Sequence, residues 1–286
     1  MALLQELINK AKSENKKLWL VIQDGDCFDR QVSPAQSWER MKKVFYDMRS
    51  ASEGYEPGAV SRSGLVGGDG EKMRQYLASG GFVSGYVGQA MAEALSMAES
   101  NACMRRIVAA PTAGACGVLP AVIMPLYRSG GADEDDVIKM LYVAAGIGKV
   151  IAENAFIAGA AGGCQAEIGA ASAMAAGALC SLKCTDEEQI GHAAAMALKN
   201  LLGLVCDPVA GLVEVPCVKR NVVGTVNAIS AADMALAGIC SRVPVDQVVS
   251  AMKDVGEHMS VELRETALGG LAATEFGREI KAKMWG

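Results

Sequence analysis

Three cysteines sit in surroundings that suit chemistry. Cys164 lies in GGCQAEIGAASAMAAG, and Cys206 and Cys217 share the segment GLVCDPVAGLVEVPC. Each stands beside a backbone device. Gly162 and Gly163 let the main chain approach another group closely and leave Cys164 near a helix N-terminus, where free amides and the helix dipole favour an anionic sulfur. Asp207-Pro208 and Pro216 interrupt helix around the other two. Thiolates fixed at rigid turns are better metal ligands than thiols along a helix face. A cubic four-iron four-sulfur cluster is usually held by four thiolates, so a set of three leaves one iron open. An open iron is a Lewis acid that can take a hydroxyl and a carboxylate. The separations fit neither zinc ribbons nor the compact ferredoxin runs. On the residues alone, metal binding by the trio and plain burial of free thiols stand level.

Other groups are candidates for handling a ligand. The loop APTAGACG, residues 110–117, puts a proline, a hydroxyl and small residues before a helix, so its amides can receive a carboxylate. Thr112, Ala113 and Gly114 are the substrate-binding candidates there, with an ordinary helix cap as the competing role for Thr112. Lys219, Arg220 and Asn221 follow Cys217 directly and can stabilise an anionic cluster or a substrate carboxylate; surface charge is the alternative. Glu167 and Glu214 are close in sequence to the cysteines and are candidate bases, although a hydrogen-bonding role fits buried carboxylates better. Cys116 either approaches a cluster or fills space, and Cys27, Cys103, Cys180, Cys184 and Cys240 read as packing residues. The chain has two histidines, His192 and His258, too far apart to form a helical zinc pair. The general base is therefore unassigned here, and a histidine base has to come from another polypeptide.

Two motifs fail on inspection. AAGIGKV, residues 144–150, contains Gly-Lys, but Val143 replaces the first glycine of a phosphate loop and Val150 the magnesium-binding hydroxyl. GLVGGDG lacks the preceding strand that a dinucleotide fingerprint needs.

The elements that must position these residues are helical. Period-two patterns are scarce, whereas helical periodicity recurs, which predicts an all-α fold: a compact helical domain rich in Ala/Gly helices. Ser33, Pro34 and Gln36 form the signature of a capped helix, behind which Trp38, Met41, Val44, Phe45 and Met48 share one face. Residues 1–53 form an N-terminal helical segment, 54–70 a Gly-rich loop or hinge, and 71–286 a helical catalytic domain, with 1–53 joined to it as one structural unit. Later helices are expected over 84–100, 117–128, 134–158, 164–182, 186–203, 220–238 and 245–258. Alanine and glycine dominate residues 143–181, so helices there can pack backbone against backbone.

Composition narrows the partners. With 286 residues, 51% of them hydrophobic, the chain can bury a large core. A net charge of −5 from interspersed charges excludes a basic nucleic-acid stripe. Nine cysteines, an odd number in a long chain, fit reduced thiols better than a disulfide framework. The N-terminus lacks a signal core, and Glu167 divides the longest weakly charged stretch into pieces shorter than the roughly 20 apolar residues of a membrane span. A cytoplasmic protein with a small-molecule or protein partner is expected, with no nucleic acid and no membrane.

Four longer segments carry a resemblance. GGCQAEIGAASAMAA, NLLGLVCDPVAGLVEVPCVKRN, RIVAAPTAGACGVLPAV and RETALGGLA together resemble the alpha chain of iron–sulfur-dependent bacterial L-serine dehydratases, also called L-serine ammonia-lyases. The similarity runs over nearly the whole chain, SGLVGGDG included. It implies an all-helical fold and a 4Fe-4S cluster on Cys164, Cys206 and Cys217, with L-serine bound at the unliganded iron and converted to pyruvate and ammonia. The Ser-His-Thr-Gly-Pro signature of the family's other module is absent, so a separate beta subunit is the implied partner. Some single-chain relatives end in a cysteine-bearing tail that enters the site; this sequence ends at KMWG. The rival readings are a cysteine desulfidase-like lyase and a non-catalytic iron–sulfur redox sensor.

Overall fold

A computed structural model describes residues 3–286. Among them thirteen helices follow one another: α1 (Leu4–Ser13), α2 (Leu18–Arg30), α3 (Pro34–Glu53), α4 (Asp69–Ala78), α5 (Gly85–Ala102), α6 (Val118–Arg128), α7 (Glu134–Asn154), α8 (Gly159–Gly162), α9 (Ala170–Ser181), α10 (Glu188–Lys199), α11 (Cys217–Leu236), α12 (Val245–His258) and α13 (Glu275–Trp285). A π-helical turn, Gln165–Gly169, leads into α9, and 3-10 turns occupy Val209–Gly211, Val261–Leu263 and Gly270–Ala273. The fold is all-α. Among the described residues the only ladder-type pairing is an isolated parallel bridge between Cys206 and Arg264. No helix is long and apolar enough to cross a membrane among those residues.

The sequence of α9, AASAMAAGALCS, explains the centre of the molecule. A helix without a polar face must be covered all round, and α6, α7, α10 and α11 pack about it. Its Ser172 hydroxyl is satisfied by donating to the Gly224 carbonyl on α11 (2.8 Å). Small residues set how near α11 comes: a Cβ at Gly224 would lie 2.9 Å from Ile168 and 3.1 Å from Val118. The N-terminal helices complete the same core, where Leu4, Ile8, Leu18, Phe45 and Met48 are buried together with α7 and α9 residues. Each such side chain contributes about 1.5–3 kcal/mol on burial.

The expected cap of α3 is present, with the Ser33 hydroxyl accepting from the Gln36 amide and the Gln36 side chain returning to the Ser33 amide. Of the stripe behind it, Phe45 and Met48 are buried, whereas Val44 turns out to solvent. Several boundaries also differ from expectation. The helix expected over 134–158 stops at Asn154, whose side chain folds back on the Val150 carbonyl (2.8 Å), a competition with the helix that asparagine favours. The 164–182 span is divided by the π turn, and the 220–238 helix begins earlier, at Cys217. Helices α4 and α13 were not among those expected.

The segment before α4 is fixed by carboxylates from elsewhere. Buried Glu99 on α5 accepts from the Asp69 (2.6 Å) and Gly70 (3.1 Å) amides at the start of α4 and from the Tyr55 hydroxyl (2.6 Å). Buried Glu214 accepts from the Ser61 hydroxyl (2.7 Å) and from that of Ser63. The AAGIGKV segment lies inside α7, in continuous helix, where no phosphate loop can form.

Candidate functional site

Each cysteine of the trio is delivered by a different local device. Gly163, at φ +74°, turns the chain out of α8 so that Cys164 opens the π turn. A Cβ on Gly163 would meet the Leu204 carbonyl at 2.9 Å, so the position is glycine's on both counts. π turns recur at functional sites because they redirect side chains within a helix. Cys206 is held by main-chain pairing: its amide donates to the Leu263 carbonyl (2.8 Å) and its carbonyl accepts from the Glu265 amide (2.7 Å). Cys217 is the first residue of α11, after the cis Val215–Pro216 bond.

The three sulfurs share one buried neighbourhood, with residue exposures of 2% for Cys164, 3% for Cys206 and 8% for Cys217. Burial pushes the Cys164 thiol up to about 11, with the Arg220 guanidinium beside it opposing that shift. The Cys217 thiol is pushed up to about 12 by burial, then by Cys164 and Glu167. The Cys206 thiol is driven up by burial, then by Cys164, Glu167, Glu265 and Cys217. Cys116, Cys184 and Cys240 each donate an S–H to a main-chain carbonyl. No thiol of the trio donates to an acceptor among the described residues.

Beside Cys206 the chain closes up tightly on a glycine. A Cβ on Gly159 would stand 2.9 Å from the Cys206 Sγ, 2.9 Å from the Glu167 Oε2 and 3.2 Å from the Glu265 Oε2. Glu167 is held by the Thr112 hydroxyl, which donates to its Oε1 (2.7 Å). Burial, with Glu265 adding to it, raises the Glu167 carboxyl above its ordinary value against the pull of that hydrogen bond.

A single ion and an iron–sulfur cluster ask for different arrangements of the same three thiols. Among the described residues no three Cys, His, Asp or Glu side chains converge tightly enough for one metal ion. Zinc–thiolate bonds of about 2.3 Å would draw three sulfurs close together. A cubane is larger and needs its thiolates spread around it, with N–H donors on the sulfurs. Cys164, Cys206 and Cys217, all buried, with the Arg220 guanidinium near enough to Cys164 to act on its thiol, are the residues that would hold such a cluster.

The serine dehydratase alpha chain family matches residues 1–272. A Bacillus subtilis (strain 168) protein named "probable L-serine dehydratase, alpha chain" is 50% identical over 230 residues, 80% of this chain and 77% of that protein. A Latilactobacillus sakei protein of the same name is 52% identical over 198 residues, 69% of this chain and 95% of that one. The "L-serine dehydratase, alpha chain" of Peptoniphilus asaccharolyticus is 39% identical over 279 residues, 97% and 96% of the two chains.

This chain belongs to the serine dehydratase alpha chain family.

For this member of the serine dehydratase alpha chain family, the structure places the remaining candidates as follows. Thr112 and Gly114 abut Glu167, a Cβ on Gly114 lying 3.1 Å from its Oε1, and the Ala113 carbonyl accepts from the Cys116 amide (3.3 Å). Asn221, buried at 1% exposure, ties this loop to α11. Its Nδ2 donates to the Gly114 and Cys217 carbonyls (both 2.9 Å), and its Oδ1 accepts from the Gly117 amide (2.8 Å). Arg220 donates to the Val205 carbonyl (2.7 Å) and Asp207 (2.9 Å), bracing both sides of Cys206. Lys219 points to α4, where it pairs with Asp69. Glu214 is engaged by the two serines of the 54–68 segment, and His258 sits exposed on Asp254 at the end of α12. Gly159, Arg264 and Glu265 escaped the sequence reading as individual residues. The signal was RETALGGLA, a conspicuous run far from any of the cysteines in sequence.

Proposed function

We propose that this chain is the catalytic alpha chain of an L-serine dehydratase, holding a 4Fe-4S cluster on Cys164, Cys206 and Cys217 and converting L-serine to pyruvate and ammonia together with a beta chain. The observation that carries this reading is that three cysteines distant in sequence are all buried and near enough for Cys164 and Cys217 to act on the Cys206 thiol. The printed names of the relatives, alpha chains of L-serine dehydratases, support the substrate and the partner. When bound, a cluster with one iron free of protein ligands supplies a Lewis acid that stabilises departing hydroxide.

The chain's own residues do the rest. Arg220, Asp207 and the pairing with Leu263 and Glu265 hold Cys206 in place. The 110–117 loop, fastened by Asn221, brings Thr112 and Gly114 against Glu167. Thr112 orients Glu167, which meets Glu265 and Cys206 at Gly159. The alpha proton of serine is removed by a base from the beta chain, a histidine by preference, since His192 lies on α10 near Asp186 and His258 sits exposed at the end of α12. Elimination leaves an aminoacrylate, which tautomerises to the imine and hydrolyses.

The test is pyruvate formation by the anaerobically prepared complex with its beta chain, from L-serine and from L-cysteine side by side. Preferential turnover of L-serine is expected. Preferential turnover of L-cysteine would make the protein a desulfidase, and a complex that retains its cluster and turns over neither would make it a sensor.

A further inference from the structure

One buried side-chain nitrogen among the described residues has no hydrogen-bond partner: the Nε of Arg264. The rest of its guanidinium enters no ion pair, ring contact or hydrogen bond among the described residues. A buried donor left unmatched is costly and calls for a partner. Its place in the fold indicates which kind.

Arg264 is bridged directly to Cys206, flanked by the Cys206–Leu263 (2.8 Å) and Glu265–Cys206 (2.7 Å) main-chain bonds. Residues paired in this way send their Cβ atoms to the same side, so Arg264 leaves the main chain on the side of the Cys206 thiol. Strand alternation would send Glu265 to the opposite side. Glu265 instead adopts φ +62°, a left-handed conformation that breaks the alternation, and its Oε2 would stand 3.2 Å from a Cβ on Gly159. The segment after Val261 thus starts the Arg264 side chain on the Cys206 side and carries the Glu265 carboxylate to Gly159, beside Cys206.

The charges there leave a need. Glu167 and Glu265 flank Gly159 beside Cys206, and the trio adds thiolate charge when metal-bound, so a carboxylate brought there is repelled unless a cation is available. Arg220 is occupied by Asp207 and the Val205 carbonyl, and Lys219 by Asp69. Arg264 alone among these cations is uncommitted.

We propose that Arg264 binds the carboxylate of the amino-acid substrate. The planar guanidinium fork suits a carboxylate, and the α-ammonium of the same substrate suits the carboxylates of Glu167 and Glu265. This inference rests on the reading of the protein as an L-serine dehydratase.

The test uses the anaerobically prepared complex with its beta chain, carrying Arg264→Gln or Arg264→Lys. Iron and acid-labile sulfide should stay at the wild-type level in both. KM for L-serine should rise about 10- to 100-fold in Arg264→Gln, the range for losing a charge-assisted hydrogen bond, with a smaller rise in Arg264→Lys and kcat little changed. Independently of turnover, L-serine should shield Arg264 of the wild-type complex from butanedione, read by mass spectrometry of the peptide, whereas L-serinamide, which lacks the carboxylate, should not. An unchanged KM with full cluster content overturns the proposal. So does shielding of Arg264 by the beta chain alone, which would make it an interface residue. A wild-type complex that forms no pyruvate from L-serine sinks the dehydratase reading and this inference together; one that turns L-serine over while Arg264 is indifferent to it sinks only the role of Arg264.

Discussion

At the scale of residues, the site depends as much on what is missing as on what is present. Gly159 has no side chain at the one place where the Cys206 sulfur and the Glu167 and Glu265 carboxylates crowd together. Gly159→Ala should therefore displace Cys206 and Glu167, at a cost of about 1–3 kcal/mol for overpacking. The expected result is iron retention on dilution weakened about ten- to hundredfold, with the helical circular dichroism spectrum intact; full iron retention would mean that this close contact does not support the cluster. The cysteines themselves were legible, because glycines and prolines mark the turns that carry them. Their convergence was not, since it depends on pairing between Cys206 and a segment near the C-terminus. Lys219 shows the limit of sequence adjacency. It follows Cys217 by two positions but lies on a different side of α11 and reaches Asp69, whereas Arg220, one residue on, braces Cys206.

At the scale of elements, the 110–117 loop and α11 are joined by one buried amide. Asn221→Leu leaves the Gly117 amide and the Gly114 carbonyl without their partner, at about 1–3 kcal/mol for each unmatched group. The variant should unfold at lower denaturant and lose activity beyond its loss of stability, because Thr112 no longer holds Glu167 in register; wild-type stability in urea melts would refute the coupling. Glu99 acts comparably for α4, so Glu99→Gln should lower the melting temperature and free the 54–68 segment to proteolysis. Neither fastening could be read from the sequence. Periodicity located α5, α6, α10 and α12 because each has a clear apolar repeat between recognisable ends. It missed α4 and α13, whose exposed polar faces carry little apolar signal, and it ran through the π turn at Gln165–Gly169, which keeps a helical composition while changing the hydrogen-bond pattern.

At the scale of the whole molecule, exposed ion pairs tie helices together and set the response to acid. Burial alone would raise the Asp69 carboxyl, but hydrogen bonds from Lys219 and Lys72 outweigh it and hold the group below its ordinary 3.8. Chiefly through Lys42, Glu134 is held below its ordinary 4.5. Groups lowered on folding bind fewer protons in the folded state, so their contribution is full above those ordinary values and is lost as pH falls through the lower folded values. Thermal melts should be flat between about pH 5 and pH 8 and decline below about pH 4, and Asp69→Asn should lessen that decline. An undiminished decline in Asp69→Asn would remove the α4–α11 pair from the account. Such exposed pairs contribute about 0–1 kcal/mol each, so the core around α9, legible in its alanine and glycine content, carries most of the stability. The central claim concerns that core's edge, where three sulfurs meet. Its most direct test is the iron and acid-labile sulfide content of the anaerobically prepared protein and of Cys164→Ser, Cys206→Ser, Cys217→Ser and Cys116→Ser variants. The account predicts about four of each per chain in the wild type and in Cys116→Ser, and a marked loss in each of the other three; wild-type protein without iron, or full content in any of those three variants, would contradict it.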